Sequence, residues 1–139
     1  MTTRIATAMA SGSARDAVAS LVREAMASLA GAPPVLVMAF ASTAQPLGEV
    51  TALLTAAFPQ ATVLGASTAG EFIETGDAKR SVALFAVAGD FKVFGGMGTN
   101  LRASAERAVD ATLEGVPHEV VGYPHRTGIL LLDPLAGNG

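Results

Sequence analysis

Apolar and polar positions along the chain alternate between two periods, and the switches mark the elements. Residues 5–10 form a short mixed stretch that predicts a first strand. Ser13, with Asp16 three residues on, has the form of a helix start, where a hydroxyl satisfies a free backbone N–H and an acid faces the positive helix end. Ala14, Ala17, Val18, Leu21, Val22, Ala25 and Leu29 then recur at three-and-four spacing, one apolar helix face, before Gly31, Pro33 and Pro34 end it. The unbroken apolar run 35–41 predicts a strand buried on both faces. Pro46 suits the first turn of a second helix, with Val50, Leu53, Leu54, Ala57 and Phe58 as its stripe. Residues 61–66 read as the next strand. Residues 81–94, with Gly89-Asp90 between two apolar runs, read as an antiparallel hairpin. Gly95, Gly96 and Gly98 suggest a flexible loop, and Asn100 a cap for a third helix bearing Ala105, Ala108, Val109 and Leu113. A long loop over 116–127 and a final strand over 128–133 complete the pattern.

The order β-α-β-α-β, hairpin, α-β predicts an α/β fold: a mixed, predominantly parallel sheet carrying an antiparallel hairpin, with helices packed on it. At 139 residues, with no linker and no internal repeat, the chain is expected to form a single domain, 1–139. Half of its residues are apolar and the mean hydropathy is +0.45, much of it from alanine. The longest apolar run has far fewer than the roughly 20 residues a membrane helix needs, and the N-terminus has no apolar segment long enough for a signal peptide.

Charge and chemistry narrow the function. The net charge is −3, and the basic residues are scattered apart from Lys79-Arg80. Nucleic-acid binding needs clustered cations to replace phosphate counterions, so it is not expected; nor is membrane association. Absence of Cys removes disulfides, thiolate catalysis and zinc–thiolate sites, and agrees with a cytoplasmic setting. No metal or cofactor is expected: His118 and His125 lack paired ligand spacing, and Gly95-Gly96-Met97-Gly98 is followed by no Gly-Lys-Ser/Thr.

In open α/β sheets, ligands bind beyond the carboxyl ends of the strands. Three such ends carry polar residues here: Ser42-Thr43, Ser67-Thr68 and Asp133. The segment 65–71, Gly-Ala-Ser-Thr-Ala-Gly-Glu, is the richest. Its small side chains would let a ligand reach the backbone N–H groups of 67–70. The Ser67 and Thr68 hydroxyls would help hold a carboxylate, and Glu71 would receive an ammonium group. The candidate ligand-binding residues are therefore Ser67, Thr68, Ala69, Gly70 and Glu71, with Ser42 and Asp133 from the neighbouring strand ends. The plainer reading of the same segment is a turn whose hydroxyls bond local backbone.

The 65–71 segment, following Phe58-Pro59-Gln60-Ala61-Thr62-Val63, resembles the signature of the FIST N-terminal domain. Ser11-Gly12-Ser13, Phe40-Ala41-Ser42 and Leu130-Leu131-Leu132-Asp133 fit the same pattern more generically. The resemblance runs from about Ile5 to Gly139. It implies a bacterial sensory module that binds a small ligand such as an amino acid and feeds a signalling protein. The family pattern continues beyond the Asp-Pro-Leu-Ala-Gly-Asn-Gly segment into a C-terminal FIST half, so the chain is expected to be an incomplete domain. Apolar surface left uncovered would then favour self-association, or docking of that second half. Two other functions stay open. One is a serine hydrolase, with Ser67 in a nucleophile-elbow-like Gly-Ala-Ser-Thr-Ala, His118 or His125 as base and Asp133 as orienter. The other is a non-catalytic interaction or oligomerisation domain.

Overall fold

The computed structural model describes residues 2–133. It divides into two compact units, Met1–Val93 and Phe94–Gly139. In the first, β1 (Arg4–Ser11), α1 (Ala14–Ser28), β2 (Leu36–Ser42), α2 (Leu47–Ala57) and β3 (Thr62–Thr68) alternate, followed by β4 (Glu71–Ile73), β5 (Gly76–Ala78) and β6 (Ser81–Ala88). The second contains α3 (Ala105–Leu113).

The start of α1 is built as its sequence predicts. Ser13 Oγ accepts from the Asp16 N–H at 3.2 Å and donates to Asp16 Oδ2 at 2.6 Å, satisfying one of the free donors of the first turn. Its end turns through Ala30 (φ 51°) and Gly31 (φ 75°), with the Gly31 N–H donating to the Met26 carbonyl at 2.9 Å. That bond satisfies a carbonyl the helix would otherwise leave open.

The main sheet has the order β1-β6-β2-β3. β6 runs antiparallel to both β1 and β2, and β2 pairs with β3 in parallel. Three of the four strands therefore point the same way, and the direct parallel pair is β2–β3. Register sorts the side chains strictly by parity. Ala6 and Ala8 of β1, Val37, Ala39 and Ala41 of β2, and Val82, Leu84, Ala86 and Ala88 of β6 all point to one face. There they form a single core with Val18, Leu21, Ala25 and Leu29 of α1 and Val50, Leu54 and Phe58 around α2. Both helices thus cover the same face. The short alanines on the strands let α1 lie close to the sheet. The opposite face carries Ile5, Thr7, Met9, Leu36, Met38, Phe40, Phe85 and Val87, most of them only half-buried. No helix of the first unit covers it.

Four expectations need correction. Residues 91–94 form no strand. A hairpin return needs a vacant edge beside β6, and β1 and β2 already occupy both of its edges. The hairpin lies earlier, where β4 pairs with β5 across the two-residue loop Glu74-Thr75. Asn100 does not cap α3. It sits at φ 59° and its carbonyl accepts from the Ala103 and Ser104 N–H groups. Ser104 is the cap, its Oγ accepting from the Arg107 N–H at 3.2 Å. Residues 128–133 adopt no regular structure, and α3 is the one regular element among the described residues of their unit, so no strand partner is present there. The 134–139 part of the family-like segment lies outside the described residues. Within the second unit, the glycine-rich stretch is packed rather than free. A Cβ on Gly96 or Gly98 would come within 1.9 Å of the Thr112 or Ala108 carbonyl, so only glycine fits against the α3 backbone.

In β3, Gly65 faces α2. A Cβ there would meet Thr51 Cγ2 at 2.7 Å and Leu47 Cδ1 at 3.1 Å. Thr51 is β-branched and its Oγ1 donates to the Leu47 carbonyl at 3.0 Å, so it cannot swing aside freely. Gly65→Ala should destabilise the fold by about 1–3 kcal/mol in urea unfolding. Removing the obstructing methyl with Thr51→Ser should recover part of that loss. An unchanged Gly65→Ala midpoint would contradict this packing.

Candidate functional site

The 65–71 segment is not a turn. Gly65 to Thr68 complete β3, Ala69 and Gly70 connect, and Glu71 opens β4. Strand geometry therefore separates Ser67 from Thr68. Ser67 pairs with Ala41 and shares the helix-side parity, whereas Thr68 shares the parity of Phe40 on the open side. Their hydroxyls cannot converge on one ligand as a turn would allow. Ser67 is exposed. Nor is there a nucleophile elbow, which needs a helix directly after the strand, whereas β4 follows here. Ser42 Oγ accepts from the Ala44 N–H at 3.4 Å at the end of β2. Asp133, His118 and His125 belong to the second unit and are exposed.

Glu71 is the residue on which the site turns. It is only 3% exposed, and both carboxyl oxygens are engaged. Thr68 Oγ1 donates to Oε1 at 2.6 Å and Ser81 Oγ donates to Oε2 at 3.1 Å. Ser81, fully buried at the start of β6, also reaches the Ala78 carbonyl at 3.3 Å. One side chain thus ties the end of β3, the start of β4 and the start of β6. A second tie anchors the loop of the small hairpin: Thr7 of β1 donates to Glu74 Oε1. That bond, with one from its own backbone N–H, holds the Glu74 carboxyl below its ordinary range.

These ties leave a hollow of about 610 Å³ between the open sheet face and the β4–β5 segment. Phe40, Ala83 and Phe85 of the sheet and Phe72 and Ile73 of β4 supply apolar wall. Thr7, Thr68, Gly70, Glu71 and Glu74 supply the polar positions. A hollow of this size, mostly apolar with a few directed polar groups, has the make-up of a small-molecule site. Of the residues expected from sequence, Thr68, Gly70 and Glu71 line it. Thr7, Phe40, Phe72, Glu74, Ser81 and Phe85 were not legible as site residues. A second hollow, about 620 Å³, lies at the carboxyl ends of the strands, lined by Ser11–Ala14, Ala44–Pro46, Lys79 and Arg80. Gln45 Nε2 donates to the Gly12 carbonyl at 3.1 Å and to the Arg80 carbonyl at 2.7 Å, fastening the loops around it.

The model of the FIST N domain matches residues 35–139. The chain belongs to the FIST family. No curated protein matches it. FIST domains are generally sensory domains, and the match takes in every lining residue of the first hollow except Thr7. β1 and α1 precede the matched region although β1 is hydrogen-bonded into the same sheet. Among the described residues no helix is long and apolar enough to cross a membrane.

Two measurements check this geometry of the FIST domain. Ser81→Ala removes one donor from the buried Glu71 carboxyl and should cost about 1–3 kcal/mol in denaturant unfolding. Glu71→Gln should remove most of the further cost of that substitution, and full additivity of the two losses would contradict the contact. Thr7→Val should raise the Glu74 pKa toward its ordinary value in a carboxyl NMR titration. Because the folded-state pKa is depressed, the stabilising effect of this tie is present at neutral pH and disappears as pH falls through that pKa. An unmoved titration would show that Thr7 does not hold Glu74.

Proposed function

We propose that this FIST domain is the ligand-sensing part of a prokaryotic signal-transduction system, binding a small metabolite in the hollow between the open sheet face and the β4–β5 hairpin. One observation carries the reading: the distinctive segment of the chain ends in a buried carboxyl, Glu71, that shapes a mostly apolar hollow of ligand size. The backbone at Ala69 and Gly70 is exposed beside it, as a recognition site requires. The hairpin is small and held at two points, so a ligand that fills the space beneath it would change its order, which gives a sensor something to transmit. The role is non-catalytic. The output passes to a partner, with a C-terminal FIST half or a second copy of the chain as the surfaces to test.

Thermal unfolding against a panel of amino acids, amines, organic acids and other small metabolites tests the proposal. A ligand at about 100 times its Kd should stabilise by about 2.7 kcal/mol, enough to raise Tm by several degrees. Phe85→Trp, which puts a larger ring into the hollow, should reduce that shift while leaving the unliganded protein folded. No stabilisation by any compound, with or without a C-terminal FIST half supplied, would refute it.

A further inference from the structure

Resting on that reading, we infer the class of ligand: the hollow takes a small organic amine, as its ammonium ion, with an apolar body, and discriminates against compounds that carry a carboxylate. The observation is the distribution of ionisable groups around it. The two that line it are carboxyls, Glu71 and Glu74, and no Lys, Arg or His lines it. Glu74 stands at the solvent side and accepts from Thr7, which uses one of the several lone-pair positions of its oxygens. Its depressed pKa keeps it charged at neutral pH.

Phe72 adds a second and independent feature. It lines the hollow and is 78% exposed, so its ring is open to a bound molecule. An aromatic ring face is a favourable seat for an ammonium group. Inside, Phe40 and Phe85 offer apolar and aromatic surface to the rest of the molecule. A carboxylate on the ligand would instead meet the like charge of Glu74 at the solvent side of the hollow. An amino acid carries both groups and would have to hold its carboxylate out of the hollow. The other hollow has the reverse character, with Lys79 and Arg80 and no acid in its lining, so selectivity for amines is specific to the hairpin site.

The test uses molecules matched in ring and chain but differing in charge: 2-phenylethylamine, 2-phenylethanol, phenylalanine and 3-phenylpropionate. Binding to the intact chain is measured by calorimetry at neutral pH. An aliphatic set (isopentylamine, isopentanol, leucine, 4-methylpentanoate) runs in parallel. The amine should bind at least about tenfold more tightly than the amino acid or the acid. Glu74→Gln should weaken the amine by about three- to tenfold and leave the alcohol unchanged. Glu74 is exposed, so this variant keeps the fold; Phe72→Ala provides a second reading through loss of amine affinity. Equal or tighter binding of phenylalanine or leucine would overturn the amine assignment while sustaining the sensory reading. Amine binding indifferent to Glu74→Gln and Phe72→Ala would also overturn it. Absence of binding in both sets overturns the assignment, and failure of the whole metabolite panel as well would remove the sensory reading with it.

Discussion

Everything in the first unit follows from both helices packing on the same face of one sheet. β1, β2 and β3 run in one direction, and the connections through α1 and α2 both advance toward β3, so both helices fall on one side. That side closes into a core of alanine, valine and leucine with Leu21, Leu29, Leu54 and Leu84 fully buried. The first unit places no helix on the other side. A protein must cover such a face, pair it with something, or use it. Here the β4–β5 hairpin covers part of it through Glu71 and Glu74, and the space left over is the hollow.

This placement departs from the usual rule for α/β sheets, in which ligands gather at the carboxyl ends of the strands. The rim does contain a hollow, with loops fastened by Gln45. Its lining is small and polar residues of the strand-end loops with two exposed cations, Lys79 and Arg80. The open-face hollow instead has aromatic walls and a buried carboxyl. The buried group matters because ordering an acid away from water is expensive unless donors meet it, and Thr68 and Ser81 do so.

Much of the fold could be read from the chain because the core elements are simple in pattern. The three-and-four spacing from Ala14 to Leu29 and the apolar run ending at Ala41 located α1 and β2, although the helices of the first unit cover β2 on one face rather than both, and Ser13 with Asp16 announced the helix start. Three residues of the 65–71 segment, Thr68, Gly70 and Glu71, line the open-face hollow. What stayed hidden was pairing. Apolar runs say that a strand is wanted but not which neighbours it will have, so the central position of β6 between β1 and β2 could not be seen, and with it the impossibility of a returning strand at 91–94. The real hairpin was missed because its strands have three residues each and its loop is Glu74-Thr75, with neither residue at positive φ and none of the Asn-Gly or Asp-Gly chemistry that marks tight hairpins. With no strand expected directly after it, the 65–71 segment reads as a turn holding Ser67 and Thr68 together, whereas in the strand they face opposite ways. Thr7, Ser81 and Phe85 belong to the site only through register, which a single sequence does not display.

The central claim is a location: the ligand lies on the uncovered face beneath the hairpin. Amide chemical-shift mapping tests it most directly, using the compound that stabilises the chain most. The account predicts that the largest changes fall on Thr7, Phe40, Gly70 to Glu74 and Phe85, with α1 and α2 quiet. Changes concentrated at Ser11 to Ala14, Gln45, Lys79 and Arg80 would place binding at the strand ends and contradict it.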